Sequence, residues 1–194
     1  MGTLKDLFER ISNKIREGFQ RDINYIQMRL PVHIITRDFE ESLQNKIKHK
    51  VKQAKIREAV EDDIEDLIII HDQAWHSTPM PYHPLSKDKL VEIIKDPDIT
   101  ILIAEVNSID IGFIILYFTG ENNIIGVIAG LGILPEYQHK GLGTFLGIAS
   151  WNYFKGKGVK ELRCKVFKDN KISYNFIKEL GFEEYNLDFP TWKL

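Results

Sequence analysis

Apolar residues recur at Leu4, Leu7, Phe8, Ile11, Ile15, Phe19, Ile23, Ile26 and Leu30, three and four apart, with charged positions between them. That stripe predicts a long amphipathic helix ended by Pro31. "VHIIT" then reads as a short strand. Phe39, Leu43, Ile47 and Val51 space a second amphipathic helix over 38–53, with Asp38 and Glu41 at capping-box spacing at its start. From Ile56 the pattern alternates. "KIREA" predicts a strand and 61–75 a helix with acidic residues in its first turn. A proline-punctuated loop, "HSTPMPYHPLSKD", leads to a short helix at 89–96. Two Ile-rich strands, 99–106 and 110–118, flank the turn residues Asn107 and Ser108. A third strand covers 123–134, followed by a helix through Leu142, Phe145, Leu146, Ala149 and Tyr153 that "KGKG" stops. The strand "ELRCKVF", a helix over 170–180 ended by Gly181, and a strand over 182–189 complete the pattern. The fold class expected is α/β (α+β), a mixed, mostly antiparallel sheet flanked by helices, with an N-terminal helical extension.

Charge divides the chain in the same place. Residues 1–55 hold 12 Lys/Arg against 7 Asp/Glu, whereas the remaining chain is acidic and the total is −2. Two units are therefore expected: a helical extension over 1–55, packing on the rest of the chain or on a second copy as a homodimer, and a domain over 56–194. The charged face of 4–30 mixes both signs, which argues against a membrane-surface helix. The lysines from Lys46 to Lys55 lack neighbouring aromatics for base stacking, which argues against nucleic acid. No apolar run approaches the ~20 residues that span a bilayer. A signal-peptide layout and a myristoylation pattern are missing from "MGTLKDLFERI", Asp6 standing where the latter wants Ser or Thr. The single cysteine, Cys164, excludes an internal disulfide and suits a reducing compartment. The expected location is cytoplasmic.

The stretch "ILPEYQHKGLGTFLGIA" sets Gly141 and Gly143 where a helix begins, although each glycine costs about 1 kcal/mol against alanine in a helix. Either the turn needs them for geometry alone, or they let a ligand reach the unpaired amides of the helix start. Such amides carry partial positive charge and bind phosphate. Gln138, His139 and Lys140 add donors and charge beside them. The run is neither a P-loop nor the dinucleotide fingerprint, so the glycines themselves do not name the ligand.

"GILPEYQHKGLGTFL" resembles motif A of the GNAT-type N-acetyltransferase superfamily, through Pro135, Glu136, Tyr137, Gln138, Gly141 and Gly143. "DNKISYNFIKELGFEEY" is similar to the family's later Asn-…-Gly-Phe motif, through Asn170, Gly181 and Phe182. The likeness covers about the last 140 residues and implies acetyl-coenzyme A (CoA) as co-substrate, with no metal. Its diphosphate would lie on the amides of His139, Lys140, Gly141, Leu142, Gly143 and Thr144 beside Gln138. The backbone of Leu131, Gly132 and Ile133 would take the pantetheine arm, and Asn170 would contact it further along. Gly130 and Gly132 fit such an approach, or mark a bulge.

Acetyl transfer to an amine needs a stabilised carbonyl oxygen, a leaving thiolate and a neutral amine. The resemblance implies backbone amides near Ile133 for the first. Many relatives place a tyrosine proton donor where this chain has Ile177; Tyr174, one turn earlier, is the candidate substitute. Some relatives use a glutamate on the strand after motif A's helix, where Lys165 stands here. Glu105, Glu121, Asp72, His76 and His83 are candidate bases or water-holders. Cys164, within an apolar strand, reads as core. The loop bearing Trp75, His76, Met80, Tyr82 and His83 is the candidate substrate loop. The function expected is acetyl-CoA-dependent acetylation of a primary amine (a protein N-terminus, a lysine or a small molecule) by direct attack. The alternative is an inactive CoA-binding regulatory module. Many relatives close the sheet with a terminal hairpin for which little chain remains here, so the extension or a partner subunit is expected to cover that edge.

Overall fold

The computed structural model describes residues 24–51 and 53–185. In chain order its elements are β1 (Tyr25–Pro31), α1 (Arg37–Ile47), β2 (Ala54–Glu58), α2 (Ile64–His76), α3 (Lys87–Ile94), β3 (Ile99–Val106) and β4 (Ile109–Thr119). β5 (Ile125–Ile133), α4 (Leu142–Phe154), β6 (Glu161–Phe167), α5 (Lys171–Glu179) and β7 (Glu183–Glu184) follow. The seven strands form one sheet in the order β2-β3-β4-β5-β6-β1-β7. Every pair is antiparallel except β5 with β6. Asn107 and Ser108, both at positive φ, make the expected tight turn between β3 and β4.

The largest departure from the sequence pattern lies at β1. Residues 25–30, expected as the end of the first helix, are a strand paired with β6 from Tyr25↔Phe167 to Pro31↔Glu161. The reason is visible in the residues: Ile26, Met28 and Leu30 also satisfy a period of two, and Met28 and Leu30 are buried on the core face. Tertiary pairing decides between the two periods. Residues 4–23 of the expected helix lie outside the described residues. β1 fills the place beside β6 that the resemblance left open, so the extension supplies the missing strand. The unit boundary drawn at 55/56 falls inside β2, and both sides of it share the sheet. "VHIIT" forms a 3₁₀ turn at Val32–Ile34, anchored by the Val32 N–H to the Lys160 carbonyl at 2.9 Å. The cap of α1 is Thr36, whose hydroxyl accepts from the Phe39 N–H at 3.2 Å, in place of the expected Asp38; Glu41 pairs with Arg37 instead. Of the expected last strand, only Glu183–Glu184 pairs, and residues beyond 185 lie outside the described residues.

α1 lies against α4. The Glu40 carboxylate accepts from the Trp151 indole N–H at 2.5 Å and from the Lys155 ammonium at 2.8 Å, and these bonds hold its pKa below the usual carboxylate range. At the opposite end of the sheet Arg57 forms a fork with Asp63 (2.7 and 2.8 Å) and also reaches Asp110 at 2.5 Å. The Arg57 hydrogen bonds lower the Asp63 pKa, while burial raises that of Asp110. Cys164 is buried on β6, and burial pushes its thiol pKa up.

One irregularity shapes the site. β5 pairs along its whole length with Gly112–Thr119 of β4, but it pairs with β6 only over Ile125–Val127. Beyond Val127 the two strands part, and the β6-facing edge of β5 has no strand partner among the described residues. A bulge opposite Ile115 and Leu116 leaves Ala129 outside the register.

Candidate active site

At the end of β5 the chain turns through Pro135–Tyr137, then through His139 (φ 59°) and Gly141 (φ 85°), into α4. The first intrahelical bond runs from the Phe145 N–H to the Gly141 carbonyl at 3.0 Å, so the amides of Leu142, Gly143 and Thr144 have no partner within the helix. The two glycines do different jobs. Gly141 supplies the left-handed backbone conformation, and its missing side chain leaves room for Ile47 of α1, 3.1 Å from where a Cβ would stand. Gly143 makes room for the Phe176 ring, at 3.0 Å from a Cβ position there. Both glycines are thus required by the geometry and packing of the turn.

Gly143 and Thr144, with Gly141 before them, line a cavity of about 540 Å³, within the usual range for small-ligand sites. Leu131, Gly132, Ile133, Gln138, His139, Gly141, Gly143, Thr144 and Asn170 all line it. Leu142 is buried in the core and Lys140 turns its ammonium over the Tyr137 ring at 5.2 Å, so neither side chain reaches the cavity. Gln138 spans two elements: its side-chain amide donates to the Ile133 carbonyl at 3.0 Å and to the Ser77 hydroxyl at 3.2 Å, tying the turn to β5 and to the end of α2. Asn170 caps α5, its side-chain oxygen accepting from the Ser173 N–H at 3.0 Å. Its Nδ2 is buried and has no hydrogen-bond partner among the described residues, the residue being only 2 % exposed. A buried donor without a partner is costly in itself, and Asn170 is among the residues of the cavity wall. The site fits a long, phosphate-bearing cofactor: free amides at a helix start, an unpaired strand edge, and a buried donor further along.

Trp75 lines the cavity, stacked on His71 with ring centroids 4.2 Å apart and parallel to Phe113. Gly132 is flat against these rings; a Cβ would lie 3.1 Å from both Phe113 and Trp75. Ring packing, rather than a bulge, accounts for that glycine. Burial lowers the His71 pKa, which keeps its imidazole neutral at pH 7. His76 and Tyr82 are not brought to the cavity. Their rings pack together at 4.3 Å, and the Tyr82 hydroxyl donates to the Asp72 carboxylate. Met80 lines the cavity, while His83 stays at the surface. Glu105 belongs to the Arg57 cluster, at 3.8 Å, and Glu121 is exposed between β4 and β5. Glu179 is the acidic side chain among the described lining residues.

Tyr174 also departs from expectation. It shares a face of α5 with Ile177, as their spacing requires, but that face turns to the core and β7. The Tyr174 hydroxyl donates to Glu184 at 2.5 Å, which raises its pKa, and the cavity side of α5 carries Ile172, Ser173, Asn175, Phe176 and Glu179 instead. Tyr174→Phe is therefore expected to leave kcat and KM within about twofold of the parent in a thiol-release assay, as for a surface change. Sequence reading missed Phe176, Ser77, Thr78 and Lys50 in the wall. Phe176 carried a signal in its place on the apolar stripe of α5, whereas nothing in the lysine run singles out Lys50.

Residues 67–182 match the model of the acetyltransferase (GNAT) family. The chain belongs to that family. An uncharacterised N-acetyltransferase of Methanocaldococcus jannaschii is 26 % identical over 143 residues, and this chain spans 62 % of its length, the match taking in 69 % of the chain. The spermidine N(1)-acetyltransferase of Thermoplasma acidophilum is 29 % identical over 69 % of this chain and 91 % of its own length. Among solved structures, the PaiA N-acetyltransferase of Thermoplasma acidophilum in complex with coenzyme A superposes with a TM-score of 0.62 at 29 % identity, covering 70 % of this chain and 92 % of that one. The matched region is thus an acetyltransferase-family (GNAT) domain, and β1 and α1 lie ahead of it in the chain. Among the described residues no group of three or more His, Cys, Asp or Glu side chains is arranged to hold a metal ion, and no helix is long and apolar enough to cross a membrane.

Proposed function

We propose that this chain transfers the acetyl group of acetyl-CoA to the primary amine of a small molecule, by direct attack and without an acetyl-enzyme. The observation that carries the reading is the continuity of one cavity from the free amides of α4, along the unpaired edge of β5, to the wall formed by Trp75, Ser77, Thr78 and Met80. When bound, acetyl-CoA supplies the acetyl group as a thioester.

The amides of Gly143 and Thr144 hold negative charge at the helix start, and the Asn170 side chain in the same wall gives a further contact. Backbone N–H groups on the open edge of β5 orient the carbonyl and stabilise charge as it develops on oxygen, being fixed in place before reaction. Ser77 and Thr78 donate their hydroxyl hydrogens to the Ala74 and Trp75 carbonyls at 2.7 and 2.9 Å. Their oxygens already accept from the Gln138 side-chain amide at 3.2 Å and the Met80 N–H at 3.4 Å, so each keeps one further lone pair to accept from an amine N–H. Cys164, buried and with its thiol pKa raised, has no part in the transfer. A small-molecule acceptor is supported by the related spermidine N(1)-acetyltransferase.

The test is release of free thiol from acetyl-CoA in the presence of spermidine, aminoglycosides, free amino acids and short peptides. Release with at least one small primary amine is expected. Turnover restricted to peptides would overturn the small-molecule reading. Binding of CoA without turnover across the panel would overturn transfer altogether.

A further inference from the structure

We propose that Lys50, on the turn after α1, is a ligand for the diphosphate of the coenzyme; this rests on the reading of the cavity as an acetyl-CoA site. The residue precedes the matched family region, so the segment ahead of the acetyltransferase domain takes part in holding its co-substrate.

The helix start donates N–H groups but brings only a fraction of a unit charge, whereas a diphosphate carries about two. A full cation is called for beside it. The nearest in sequence, Lys140, is held over the Tyr137 ring and lies outside the cavity wall. Lys50 lies in that wall, with His139, Gly141 and Thr144. Its Cβ stands 3.5 Å from where a Gly141 Cβ would be, which sets the lysine stem against the glycine that opens α4. Its own position is fixed, because its N–H donates to the Ile47 carbonyl at 2.8 Å and Ile47 is buried against the same turn. Lys87, Lys95 and Lys155 are each paired with a glutamate; Lys50 has no carboxylate partner among the described residues. Asn170, whose buried Nδ2 has no partner among the described residues, stands in the same wall.

The experiment is calorimetric titration of the full chain and its Lys50→Met, Lys50→Arg and Lys48→Met variants with CoA, 3′-dephospho-CoA and pantetheine. Lys50→Met is expected to weaken CoA and dephospho-CoA alike, by about fivefold for one solvent-exposed phosphate contact. It should also flatten the dependence of affinity on salt, while leaving pantetheine, which has no phosphate, unchanged. Lys50→Arg should keep the affinity, and Lys48→Met should match the parent. An unchanged dissociation constant in Lys50→Met overturns the proposal, as does an equal loss with pantetheine. A loss confined to CoA moves Lys50 to the 3′-phosphate and overturns the diphosphate assignment. Failure of the parent chain to take up CoA is a different result, since it overturns the coenzyme reading itself.

Discussion

Gly143→Val is expected to weaken coenzyme A binding by about 100-fold while the chain stays folded. Two or three charge-assisted hydrogen bonds from the start of α4 hold the phosphates in the proposed complex, and disrupting them together is worth roughly 3 kcal/mol. At this position a Cβ already lies 3.0 Å from Phe176 Cζ and 3.6 Å from Ile133 Cδ1. The valine methyl groups therefore displace the Phe176 ring and stand over the amides. Titration with CoA measures the loss, and circular dichroism checks the fold. Gly143→Ala adds the Cβ alone and should show a smaller effect. An unchanged affinity in the valine variant would show that the helix start holds no phosphate.

Removal of residues 1–34 is expected to abolish cooperative folding. It takes β1 from between β6 and β7, and with it Met28 and Leu30, which are 0 % and 4 % exposed. The lost strand ladder and burial together exceed the ~5–15 kcal/mol that holds a domain of this size folded. Met28→Ala in the full chain isolates one part of that contribution and should cost about 3 kcal/mol in urea unfolding, as for a buried side chain cut back to a methyl group. A truncated chain that remained soluble and unfolded at the parent's urea midpoint would show that β1 is dispensable.

Much of this architecture is written locally. β3 and β6 occupy the expected residues because each is an apolar run bounded by turn chemistry, and local signals suffice there. The start of α4 is equally legible, since a glycine at a sharp strand-to-helix turn leaves few alternatives. β1 was not legible: Ile26 and Leu30 fit both a helical stripe and an alternating strand, and only the open side of β6, far along the chain, chooses between them. The same limit applies to the site. Leu131 to Ile133 and Gln138, His139, Gly141, Gly143 and Thr144 gather at the cavity because they flank one turn, and Asn170 joins them as the cap of α5. Tyr174 and Lys50 exchange their expected standing because the direction a helix face points, and which lysine of a run meets another element, are set by packing that no window of sequence contains.

The place of β1 also bears on how the protein is made. Its partner β6 begins at Glu161, so a chain growing from its N-terminus carries Ile26, Met28 and Leu30 without their neighbouring strand until most of the polypeptide exists. Closing so long a loop delays pairing, and topologies of this kind fold slowly. The earliest strand among the described residues is consequently among the last to be locked, and the nascent chain carries an adhesive edge until β6 has been made.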